Sequence, residues 1–378
     1  MSADSGQRAA PLREAVPKPE TEAAAAPPRP AIPSAAALLR LGFAIAGLFL
    51  FVLALQVIKS GAPEVLPLIE RIHVAGPVNA VGFGWLFAYV TLSGSPVAAT
   101  GISLLAGGVF SATEAFAVVG GSRLGASFIV LAVGFLAYRR GKRSADGLVI
   151  GVIALLTTFT TQGPALLLGL LALHYGWLDG VRFDTPNGLL DIIDTIYGRP
   201  VDAIDAVLPG ALVFVGGVGI LLGSFWFFDR ALPQLQGEAE GIAKALDFLH
   251  RRPLMFLMGS LVTLTTMSVA ISITVLVPLA LKGYIRRDHI IPYVMGANIT
   301  TFIDTLFASV LLGGSVAFTV VLTEMLSVGL VSLTVLILFY GPYARLILGA
   351  SGWATATPRH MALFLAAIVA VPALLLVV

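Results

Sequence analysis

"MGANITTFID" occupies Met295–Asp304. It lies inside an apolar stretch long enough to cross a bilayer, yet it carries an amide, two adjacent hydroxyls and a carboxylic acid. Hydrocarbon solvates none of these, so each needs a partner or a task at that depth. The rest of the chain repeats the puzzle.

The surroundings are those of a membrane protein. Of 378 residues, 57% are hydrophobic and only 12% charged, and mean hydropathy is +0.94. A soluble domain is roughly 25% charged. The net charge of +2 gives no reason to expect nucleic acid. No cysteine is present, so disulfides and thiolate chemistry are excluded.

Apolar runs of about 20 residues span a bilayer. They occur at Ala37–Ile58, Ala115–Tyr138, Leu148–His174, Ala206–Phe228, Ile290–Leu312, Val316–Tyr340 and Met361–Val378. Two further stretches, Val78–Val109 and Pro253–Leu281, are interrupted by small polar residues: "TLSGSP" at Thr91–Pro96 and "TLTTMS" at Thr263–Ser268. Each reads as a re-entrant helical hairpin, or else as one long tilted helix. A break at membrane depth is tolerated only inside protein or beside a water-filled cavity.

Loop charges set the orientation. The basic "YRRGKR" (Tyr138–Arg143) and "KGYIRR" (Lys282–Arg287) belong to the cytoplasm, with Arg345 and Arg359. The aspartate-rich segment Asp179–Asp205 belongs outside. Tracing the chain on these rules puts the N-terminus in the cytoplasm. It also produces the order span, hairpin, span, span twice with opposite orientation, an inverted-topology repeat that points to a secondary transporter. The expected fold is therefore all-α and polytopic, with two inverted repeats and one extra C-terminal span. Residues 1–35 form a disordered Ala/Pro-rich tail, 36–175 the first repeat and 176–205 an amphipathic acidic linker, its helix broken at Pro200. Residues 206–341 form the second repeat, and 342–378 a loop and the last helix.

Each half carries a polar hairpin tip followed, roughly 30 residues on, by a polar helix start: "TLSGSP" then "GGSRLGAS" (Gly120–Ser127), and "TLTTMS" then "GANITTFID". Hydroxyls in membrane helices ordinarily bond their own backbone. Clusters matched across inverted halves suit an oxyanion and a small cation: free N–H groups at helix starts favour anions, and hydroxyls, unwound carbonyls and carboxylates ligate Na⁺. The expected anion contacts are Ser93, Gly94, Ser95, Ser122, Arg123, Ser127, Thr265, Thr266 and Ser268. The expected sodium site is Asn298, Thr300, Thr301 and Asp304, the last three on one helix face by their spacing. Gln162 and Glu324, polar at mid-membrane, join the coupling residues.

These motifs resemble the sodium–phosphate cotransporter family, type II included. In that family each repeat has a Gln-Ser-Ser-Ser hairpin and a helix opening Gly-Ala-Asn-Ile-Gly-Thr-Thr. "GANITT" keeps all but the second Gly, replaced by Thr300. "GGSRLGAS" keeps Gly121 and Gly125 and puts Arg123 where Asn stands. The hairpins read Leu92-Ser93-Gly94-Ser95 and Met267-Ser268-Val269-Ala270, without glutamine. The resemblance implies a Na⁺-coupled symporter of inorganic phosphate or a related oxyanion in the plasma (inner) membrane, with the lipid bilayer as its surroundings, no enzymatic activity and no cofactor beyond Na⁺. A homodimer is compatible with it. Arg123 either snorkels to the interface or stands as a fixed cation, in the place of one Na⁺. Asp304 is an addition to the pattern. Beside it the reading sets a cation, with Arg123 or a proton as the alternatives. A symporter for another small anion, a non-transporting scaffold or sensor, and an intramembrane hydrolase remain the alternatives; no HExxH or P-loop favours the last or an ATP-driven pump.

Overall fold

The computed structural model describes residues 35–72, 74–132, 146–181, 183–231, 251–269, 271–273, 276 and 285–378. The N-terminal tail, the basic loop 138–143, Lys282 and the end of the second interrupted stretch lie outside these residues.

Among the described residues the fold is helical throughout, without strands. The helices are α1 (Ala35–Gly61), α2 (Leu66–Arg71), α3 (Pro77–Thr91), α4 (Ser95–Ala106), α5 (Ala112–Ala126), α6 (Asp146–His174) and α7 (Asn187–Asp205). They continue as α8 (Gly210–Ala231), α9 (Arg252–Thr266), α10 (Arg287–Thr300), α11 (Phe302–Leu311), α12 (Ser315–Thr334), α13 (Tyr340–Ala356) and α14 (Pro358–Val377). Among the described residues, seven helical stretches are long and apolar enough to cross a membrane, which by length and composition makes this an integral membrane protein. Each overlaps one of the seven apolar runs of the sequence, but the first continues to Arg71 and the sixth to Ala356, well past the expected ends.

Two expectations are corrected. The linker helix α7 is not broken: it runs through Pro200. Proline removes one donor, here the one that would serve the carbonyl of Ile196, which lies on the exposed side where water can replace it. Its buried contacts come from Ile193 and Tyr197, the latter 5.1 Å from Phe49 of α1. Nor are residues 342–356 a loop. A π-helical turn, Val335–Phe339, follows α12 and leads into α13. The wider turn and the first-turn position of Pro342 accommodate a residue without an N–H.

Both interrupted stretches break, so neither is one long helix. Helix α3 ends at Leu92 (φ 51°) and α9 at Met267 (φ 48°), the two positive-φ non-glycine residues among those described. Each is preceded by a threonine that ties off its helix in the same way. Thr91 Oγ1 donates to the carbonyls of Phe87 (3.1 Å) and Ser93 (2.8 Å). Thr266 Oγ1 donates to those of Val262 (2.8 Å) and Ser268 (3.2 Å).

Packing follows the same pairing. α1 lies along α8, and α6 against α12. α3 lies against α5, and α9 against α10. The last two contacts are backbone-close: a Cβ at Gly121 would run into the Val81 carbonyl, and one at Gly296 into that of Phe256. At the start of α5, Ser111 and Glu114 form a capping box, and Glu114 also accepts from the Gly76 N–H at 2.9 Å, clamping the turn before α3. α4 is the deepest element, with every residue from Ser95 to Leu104 buried. Burial of the break that precedes it begins at Gly94, while Leu92 stays exposed.

Candidate functional site

The two helix breaks face one cavity of about 310 Å³, at the lower end of the range of small-ligand pockets, roughly 300–1,000 Å³. Ser93, Gly94, Ser95, Arg123, Ser127, Ser268, Asn298 and Thr301 line it, together with Phe225, Trp226 and Asp229 of α8. Residues from both halves of the chain, more than 170 positions apart, are therefore brought together.

Local chemistry positions them. Gly94 seats the first break against α5: a Cβ there would lie 2.8 Å from the Ser122 carbonyl oxygen and 2.9 Å from Ala126 Cβ. At the second break the Ser268 hydroxyl accepts from the Ile271 N–H at 3.3 Å. Ser127 lines the wall while its hydroxyl donates to the Leu124 carbonyl at 2.6 Å.

Arg123 is the centre of the arrangement. It does not snorkel; its side chain is 5% exposed. Nη1 donates to Thr301 Oγ1 (3.0 Å) and Ser95 Oγ (3.3 Å). Nη2 donates to Thr305 Oγ1 (2.8 Å) and meets Asp304 Oδ1 at 3.4 Å. Thr305 Oγ1 in turn donates to Asp304 Oδ1 at 2.8 Å. The guanidinium carbon lies 4.7 Å from the Phe302 ring centroid. Nε and Asp304 Oδ2 are left without a hydrogen-bond partner. Both atoms are closed off from the surface, and of the two residues only Arg123 lines the cavity.

The four residues expected to form one sodium site diverge. The backbone stays right-handed helical through Thr301 (φ −63°, ψ −19°), so Thr301 and Asp304 share one face, while the hydroxyl of Thr300 is engaged elsewhere. Thr300 donates to the Ser260 carbonyl of α9 at 3.0 Å. Asn298 Nδ2 donates to Thr158 Oγ1 of α6 at 3.0 Å. Thr301 and Asp304 face Arg123. Of the three neighbours weighed for Asp304, the one beside it is the guanidinium.

Other expected residues lie off the cavity. Ser122 donates to the Val119 carbonyl at 2.6 Å, and Thr265 to the Val262 carbonyl at 2.9 Å. Thr266 is occupied in tying off α9. Gln162 and Glu324 form their own buried pair between α6 and α12, with Gln162 Nε2 donating to Glu324 Oε1 and Glu324 Oε2 unpartnered.

Sequence reading passed over Thr158, Phe302, Thr305 and Asp229. Thr305 had a signal, since it follows Thr301 by four residues, and Thr158 precedes Gln162 by four on α6. Asp229 had none, because it stands at the end of a different span. No family model, curated protein or solved structure matches the chain.

Proposed function

We propose that the chain is a secondary active transporter of a small oxyanion, inorganic phosphate or a close relative, of the sodium–phosphate cotransporter kind. The observation that carries this is one cavity bordered by both helix breaks with a buried arginine in its wall. A guanidinium offers paired N–H donors to an oxyanion, and Ser93, Ser95 and Ser268 add hydroxyls around it.

The same reading takes α3–α4 and the α9 stretch as re-entrant hairpins of two inverted repeats. Support comes from the matched threonine ties, the matched left-handed residues and the pairing of α1 with α8 and α6 with α12. The loop charges orient it with a cytoplasmic N-terminus in the plasma membrane. Arg123 occupies the position between Thr301 and Asp304 where one coupling cation would sit, and Na⁺ is taken up near Asn298 and Thr158.

A specific observation favours a second coupling ion, the proton. Glu324 is fully buried, with one carboxyl oxygen bonded to an amide and the other to nothing. Carboxyl groups so placed in transporters mark proton paths.

Uptake by the purified protein in liposomes tests both. Radiolabelled phosphate should accumulate under an inward Na⁺ gradient, with arsenate competing. Accumulation under a pH gradient alone, lost in Glu324→Gln, would transfer the coupling to protons. If no oxyanion moves under either gradient, the transporter reading fails.

A further inference from the structure

A second cavity, about 680 Å³, shares no residue with the first. Arg252 of α9, Arg286 and Arg287 at the start of α10, and Arg345 of α13 line it. Among the described residues, one carboxylate, Asp288, lines the cavity with these four arginines, and Arg286 Nε lies 3.1 Å from its Oδ1.

The wall is built rather than incidental. Tyr340, 4% exposed, donates from its hydroxyl to the Asp288 carbonyl. The same ring carries Arg252, whose guanidinium carbon lies 4.2 Å from its centroid. Ser351 and Thr355 complete the polar lining from α13. The rule that places arginine at cytoplasmic helix ends accounts for the presence of such residues. It does not account for four of them converging from three helices on one cavity, where like charges repel. An anion with several acceptor oxygens relieves that repulsion, and phosphate matches the guanidinium fork.

We propose that this cavity binds a phosphate-bearing anion, separate from any transported one. The ligand is either the headgroup phosphate of an anionic lipid or a free phosphate compound. Basic pockets between membrane helices near the cytoplasmic surface are suited to both.

The test uses the full-length purified chain in detergent and follows its apparent melting temperature. The ligands are dihexanoyl phosphatidylglycerol, dihexanoyl phosphatidylcholine and inorganic pyrophosphate. The variant is Arg286→Gln/Arg345→Gln; both side chains are exposed, so the fold should survive. Phosphatidylglycerol should stabilise the wild type where phosphatidylcholine does not, and the half-effective concentration should rise roughly five-fold per arginine removed. Stabilisation by pyrophosphate with the same loss in the variant would identify a soluble phosphate as the ligand. If neither anion stabilises the protein, or the variant responds as the wild type does, the proposal is overturned. The transport cavity can fail its own test without affecting this one, because Ser95→Ala leaves all four arginines in place.

Discussion

Arg123 of α5 and Asp304 of α11 meet at 3.4 Å across the middle of the protein, each side chain only 5% exposed. Thr305 lies between them, accepting from the guanidinium and donating to the carboxylate. Neither charge could sit there alone, since desolvation costs several kcal/mol per ion.

Removing one member should therefore harm the protein more than removing both. Arg123→Gln should cost roughly 3–5 kcal/mol in stability, and Asp304→Asn should also destabilise. The double variant should recover most of that loss, yet fail to bind the anion because the guanidinium is gone. Thermal unfolding in detergent, with and without phosphate, measures both effects. An Arg123→Gln protein as stable as the wild type would show that burial of Asp304 does not depend on the guanidinium.

Gly94 tests the seating of the first break. Gly94→Ala pushes a methyl against the Ser122 carbonyl and Ala126. Overpacking of this kind costs typically ~1–3 kcal/mol. Phosphate affinity should fall with it, because Ser93 and Ser95 move with the break. Unchanged affinity in a folded Gly94→Ala protein would detach the break from the anion site.

Leu92 and Met267 should behave in the opposite way. Both hold left-handed backbone, which costs an L-residue roughly 1–2 kcal/mol relative to glycine. Both side chains are also partly exposed, at 52% and 36%, so little packing is lost on truncation. Leu92→Gly and Met267→Gly should each raise the apparent melting temperature. A lower value would mean that these side chains contribute packing that outweighs the strain.

Asn298 and Thr158 form a pair linking α10 to α6. If they hold the coupling Na⁺, Asn298→Ala and Thr158→Val should raise the Na⁺ concentration for half-maximal uptake by similar factors. Maximal anion binding at saturating Na⁺ should change less. Different Na⁺ responses in the two variants would separate the residues.

Orientation can be read with single cysteines, since the chain has none of its own. A cysteine at Arg143 should react only from the cytoplasm and one at Asp184 only from outside. Equal sidedness would remove the inverted-repeat reading.

The sequence by itself determined the helical membrane class and the seven apolar helices, because hydrocarbon thickness imposes a length of about 20 apolar residues that any window can detect. It also located both helix breaks, since clustered Ser, Thr, Gly and Pro interrupt apolar runs only where backbone is shielded. It could not place the partners of the buried polar groups. Arg123 and Asp304 are 181 positions apart and meet only once α5 packs against the α10–α11 turn. The spacing of Thr300, Thr301 and Asp304 suggested one site, but only Thr301 and Asp304 meet Arg123, while Thr300 bonds the Ser260 carbonyl of α9. Pro200 signalled a break and the residues after 341 a loop, but helices run through both, because an exposed carbonyl and a π turn absorb the missing donors. Spacing along a chain fixes which side of a helix a residue occupies; only tertiary packing decides what faces it there.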